Sequence, residues 1–158
     1  MTRRAFVLTA LALCGSAAVG EDMEKQKNIA MLWYDAFNHT DPGLIEKILA
    51  PNWVDIPAAK GQPSGPQGAK QAVIFLTTTF KDFHVKVEDI LEDGDRVVVR
   101  STITGTQVKT FMGIPPNNGR LAIQAVDIHQ FYNGKIVRTW HTEDWMSGLR
   151  QLGAFENK

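Results

Sequence analysis

A chain of 158 residues is one domain's worth of sequence. Its 44% hydrophobic and 22% charged residues can build a sizeable core, which excludes a disordered or collagen-like chain. The formal net charge is zero and no basic stripe offers a footprint for phosphates, so nucleic acid is not an expected partner.

Residues 1–20 read as an export signal and 21–158 as one domain. Met1-Thr2-Arg3-Arg4 is a positive start, and Ala5 to Leu13 is an apolar run too short to span a bilayer comfortably. Ala18-Val19-Gly20 reads as the cleavage site before Glu21. Thr2 to Val7 also resembles a twin-arginine signal, against an ordinary Sec signal as the alternative. Either route predicts a periplasmic or secreted protein with no membrane attachment once mature. Cys14 is the only cysteine, and its removal with the signal leaves no disulfide.

From Met23 to His39 the apolar residues Ile29, Leu32, Trp33, Ala36 and Phe37 recur at helical spacing. Asp41-Pro42 restarts the chain as an N-cap and first-turn proline, opening a short helix through Leu49. Trp53 to Ile56 is a short strand. Pro57 to Gly68 holds three prolines and three glycines and reads as a long, functional loop. A second long helix covers Gln67 to Phe80.

After Phe83 the period falls from 3.6 to 2. Val85, Val87, Asp89 and Leu91 alternate with polar residues, then Val97, Val99, Ser101 and Ile103 follow the turn Asp93-Gly94-Asp95. A three-residue loop pairs Val87 with Ser101 and Leu91 with Val97, and sets Asp89 on the apolar face. Thr110 to Gly119 is a crossover with an apolar tip at Phe111, Met112 and Ile114. Leu121 to Asp144 is a second hairpin, turned by Asn133-Gly134. A two-residue turn places Asp127 opposite Trp140, and puts Asp127, His129, Trp140 and Asp144 on one face with Ile123, Ala125 and Phe131. Carboxylates and an imidazole among apolar neighbours mark the candidate active site. Helices first and a strand meander after predict an α+β fold, with helices covering the concave face of a curved sheet and a pocket between them.

Phe83 to Asp89, Glu92 to Val97, Gly113-Ile114-Pro115-Pro116, Asp127-Ile128, Asn133 to Val137, Trp140 to Asp144 and Gln151-Leu152-Gly153 together resemble the SnoaL-like polyketide cyclase family. The resemblance spans about Met23 to Ala154. It implies a nuclear transport factor 2-like cone, with N-terminal helices packed on a strongly curved, antiparallel-rich sheet, and a homodimer. It implies ring closure by intramolecular aldol condensation of a polyketide ester, without metal or cofactor. It places the general acid/base of the last strand at Asp144 and polar pocket groups at Asp127 and His129. His141 departs from the family, which often has an acidic residue there.

Each candidate has an alternative. Asp144 also suits the cap of a helix starting at Trp145. Asp127 could pair with Arg138 or His129, and His129 could be a satisfied core residue. His141 has the opposite parity and is expected outside. Trp140, Trp53 and Trp33 are expected as pocket wall or core, Asp55 as a further polar group, and Phe111 with Met112 as a lid or dimer contact. On flat strands Asp127 and Asp144 lie roughly 13 Å apart, which assigns the chemistry to Asp144 and binding to Asp127 and His129. The function read from the sequence is therefore a cyclase or isomerase acting by general acid/base catalysis on an apolar carbonyl compound. Its alternatives are an exported, non-catalytic binder and an epoxide-hydrolase-like hydrolase.

Overall fold

The computed structural model describes residues 15–155, with side chains from Glu24 onward. Most of the expected export signal, residues 1–14, lies outside the described residues. Among the described residues no helix is long and apolar enough to cross a membrane.

Helix α1, Gly15–Asn38, turns Ala30, Tyr34, Ala36 and Phe37 into the core, with Ile29, Leu32 and Trp33 half-buried beside them. The buried stripe is thus rotated from the one expected, and Tyr34 sits at its centre. Thr40, with φ of 52°, ends the helix, and Asp41 accepts from the Gly43 amide at 2.9 Å to open α2, Gly43–Ile48. Strand β1, Leu49–Ile56, starts earlier than expected and contains Pro51. It is an edge strand, where a residue without an N–H is tolerated. The loop after it leads into α3, Pro66–Thr79, which buries Ala69 and Val73.

The remaining strands are β2, Phe80–Asp93, β3, Arg96–Gln107, β4, Arg120–Tyr132, and β5, Lys135–Glu143. They join β1 in one sheet of order β1-β5-β4-β3-β2, antiparallel except for the β1–β5 pair. Helix α4, Trp145–Gln151, closes the chain against β4. This is the α+β arrangement expected, with helices packed on one face of the sheet.

Both hairpins carry bulges that interrupt a regular ladder. Between β2 and β3 the turn has two residues, Gly94 and Asp95, not three, and Asp93 pairs with Arg96. Val87 still meets Ser101 and Val85 meets Ile103, because a bulge between Val87 and Asp89 supplies the missing residue. Beyond that bulge the facing is inverted. Asp89 leaves the apolar face and pairs outside with Arg100, whose Nε donates to it at 2.7 Å. Leu91 is exposed, and Glu92 turns inward to Lys27 at 2.9 Å.

Between β4 and β5 the turn is as expected, with Asn133 and Gly134 both at positive φ and Tyr132 opposite Lys135. Phe131 meets Ile136, but Gln130 meets Arg138, so Val137 is an extra residue in β5. Asp127 consequently pairs with His141, and Ile128 with Trp140. Side chains alternate, so this single insertion moves Trp140 outside and brings His141 and Glu143 inside.

The sheet is tight where β2 enters it. A Cβ on Gly105 would lie 2.8 Å from the Phe80 Cβ, and Phe80 is fully buried. Gly105→Ala is expected to lose about 1–3 kcal/mol and to melt several degrees lower in a thermal scan. An unchanged melting temperature would contradict this account of the packing.

Candidate active site

A cavity of about 430 Å³ lies between α1, α3, the loop after β1 and the inner face of the sheet. Its walls are mainly aromatic and aliphatic, with Trp33, Phe37, Phe83, Phe111 and Trp145 among them. Phe111 is packed against Phe80 and Trp145, with ring centroids 4.9 and 5.0 Å apart. Met112 is exposed at the rim. Among the described residues no Lys or Arg lines the cavity; the ionisable groups there are Tyr34, Asp55, Asp127, His141 and Glu143.

Asp127 comes from β4 and is only 7% exposed. The Tyr34 hydroxyl, reaching across from α1, donates to its Oδ2 at 2.9 Å. Burial pushes the carboxyl up to about 7, while the Tyr34 bond and the nearby His141 charge hold it down. Tyr34 itself is pushed well above its ordinary value by burial and by Asp127.

His129 does not reach the cavity lining but stands one layer behind it, fully buried. Burial lowers its pKa to about 3, so the ring is neutral at any ordinary pH. Its Nε2 lies 3.3 Å from the Tyr34 oxygen, and its Nδ1 3.0 Å from the Thr139 hydroxyl. Because Tyr34 donates to Asp127, its oxygen accepts from the His129 Nε2–H, which leaves Nδ1 to accept from Thr139. Trp53 Nε1 completes the chain by donating to Thr139 at 3.0 Å. Trp53 is therefore core behind the wall, whereas Trp33 both lines the cavity and packs 5.4 Å from His129 and 5.7 Å from Trp53.

At the mouth His141 is clamped between two carboxylates. Its Nδ1 donates to Glu143 at 2.9 Å, and its Nε2 faces Asp55 at 3.2 Å and the Pro57 carbonyl at 3.0 Å. The hydrogen bonds to Asp55 and Glu143 raise it to about 11 against the opposing effect of burial, so it is an imidazolium. Gln62 donates to Asp55 at 2.8 Å and accepts from the Ala59 amide, tying the proline-rich loop to the same cluster.

Further expectations need correction. Asp144 is exposed, outside the cavity lining, and accepts from the Ser147 amide at 3.0 Å as the N-cap of α4. Hydrogen bonding from Ser147, its side chain first and its amide second, also holds the Asp144 carboxyl below the ordinary range. Trp140 lies on the outer face, with the Arg96 and Arg138 guanidiniums each 5.3 Å from its ring. Both displacements follow from the extra residue at Val137. Glu143, His141, Tyr34, Ser101 and Gln62 line the cavity without having been expected there. For Tyr34 a signal existed: it stands four residues after Ala30 and three before Phe37, on the buried stripe.

The clamp has a consequence for stability. A His raised to about 11 contributes stability that is complete below its unfolded value near 6.5 and is lost as pH rises through 11. The folded protein is expected to lose stability progressively between these limits in denaturant titrations. His141→Gln should flatten that decline. A variant with the same slope as the parent would show that His141 is not a clamped cation.

Comparison with known proteins fits this geometry. Residues 28–152 match the SnoaL-like polyketide cyclase family. No curated protein sequence matches the chain. Among solved structures, TsrD from Streptomyces laurentii is 26% identical, with a TM-score of 0.78 over 84% of this chain and 97% of that one. A candidate polyketide cyclase from Bacillus cereus is 29% identical, with a TM-score of 0.72 over 82% and 80% of the two chains. IdmH, a candidate polyketide cyclase from Streptomyces antibioticus, is 28% identical, with a TM-score of 0.70 over 81% and 98%. The family match covers most of the chain, and the fold agrees with it: this protein belongs to the SnoaL-like polyketide cyclase family.

Proposed function

We propose that this protein catalyses a cofactor-free proton transfer from carbon, leading to an aldol-type ring closure or a proton shift, in an uncharged, largely apolar carbonyl compound. The observation that carries the reading is Asp127: a carboxyl on the wall of an apolar cavity, pushed to about 7 by burial and aimed by one hydrogen bond from Tyr34. A base poised near neutrality has enough affinity for a carbon-bound proton while a sizeable fraction of it stays ionised.

In this reading the Asp127 carboxylate takes a proton from the carbon beside a carbonyl, and the C–H electron pair becomes the enolate. The enolate carbon attacks a second carbonyl of the same molecule, forming the new C–C bond. The resulting alkoxide takes the proton back from Asp127. In the isomerase version the proton returns to a different carbon instead. The His141 imidazolium, cross-strand partner of Asp127, puts a fixed positive charge beside the developing enolate. The chain from Trp53 through Thr139, His129 and Tyr34 fixes the carboxyl's orientation. Absence of Lys and Arg from the lining disfavours an anionic substrate.

Asp127→Asn is expected to lower kcat about 100-fold or more while ligand affinity is retained. Asp144→Asn should keep wild-type turnover, since asparagine also caps helices. Tyr34→Phe removes a bond that lowers the Asp127 pKa, so the rising limb of the kcat/KM profile should move above pH 7. The reading fails if Asp127→Asn stays active, or if Asp144→Asn is the inactive variant. Tight binding without turnover by the parent would favour a pure binder.

A further inference from the structure

Ser101 occupies the middle of β3 on the inner face, between Val87 of β2 and Ala125 of β4. It lines the cavity floor and is 1% exposed, yet its Oγ has no hydrogen-bond partner among the described residues. The surrounding floor, Val85, Ile103 and Ala125, offers it none. A buried hydroxyl without a partner is unfavourable, and an alanine like its neighbour Ala125 would avoid the penalty. The hydroxyl is therefore available to something that enters the cavity.

Its position relative to Asp127 says what that is. Asp127 pairs with Val99, so Ser101 and Asp127 are diagonal neighbours on the same face of adjacent strands. Such neighbours lie about 7 Å apart. The other two corners of that square, Val99 and Ala125, are apolar. We propose that Ser101 is a ligand-binding residue that hydrogen-bonds a second oxygen, hydroxyl or carbonyl, placed across one six-membered ring from the carbonyl whose neighbouring carbon Asp127 deprotonates. The substrate class this selects is an uncharged cyclic or ring-forming compound with two oxygen functions, rather than a mono-oxygenated hydrocarbon. The placement of the reacting carbon rests on the general-base reading of Asp127; the oxygen contact at Ser101 does not.

The probes are 1-tetralone and 4-hydroxy-1-tetralone, which differ by one oxygen across the ring. Their affinities can be read from quenching of tryptophan fluorescence, since Trp33 and Trp145 line the cavity. The parent protein should bind the hydroxyketone roughly three- to tenfold more tightly. Ser101→Ala should bind both ketones equally, at the parent's affinity for 1-tetralone, and should melt at or above the parent's temperature. A structural serine would instead lower the melting temperature and weaken both ligands alike, and that result overturns the assignment. So does a preference that survives in Ser101→Ala, or a parent that shows no preference or binds neither ketone. Asp127→Asn separates the two proposals. If the oxygen preference holds but Asp127→Asn remains catalytically active, the general-base reading falls and the Ser101 contact stands.

Discussion

One extra residue in β5 decides what faces the cavity. Without the bulge at Val137 the ladder from Phe131–Ile136 would continue unbroken, with Val137 opposite Gln130 and Trp140 opposite Asp127. With it, the partner is His141, and every later side chain of β5 changes face. The cavity thereby receives an imidazolium and Glu143, and sheds an indole that settles outside between two arginines. The charge cluster around Asp127 depends on this bulge more than on any one hydrogen bond.

Two layers of polar groups then divide the work. The inner layer is neutral: Trp53, Thr139, His129 and Tyr34 form a chain with a single consistent direction of donation, ending on Asp127. Each member is buried, so each needs its partner, and the chain fixes the carboxyl's position through mutual satisfaction. The outer layer is charged: Asp55, His141 and Glu143 neutralise most of one another at the mouth. Asp127 sits where the two meet. Burial raises it, and the imidazolium and the tyrosine keep it from rising so far that it would be permanently protonated.

Much of this architecture was legible in the residues. The change of period at Phe83, the Asn133-Gly134 turn and the proline-glycine loop placed the helices, the sheet and the opening. Asp127, Trp33, Phe111 and Asp55 were expected at the cavity and line it. What failed was parity beyond a bulge. An alternating pattern names two faces without saying where one residue is skipped, and two bulges inverted Asp89, Leu91, Trp140 and His141 together. Asp144 misled for a related reason: the position next to an inward-facing Glu143 must face out, and there it serves as a helix cap. Tyr34 was missed because its role depends on a contact 93 residues away, which no local pattern reveals.

The most direct measurement is a ¹³C NMR titration of the aspartate carboxyl groups in the free protein, with Asp127→Asn used to assign the signal. The account predicts one carboxyl with a midpoint near 7, absent from the variant. If every aspartate titrates in the ordinary range near 4, Asp127 is not held near neutrality and the proposed base is lost.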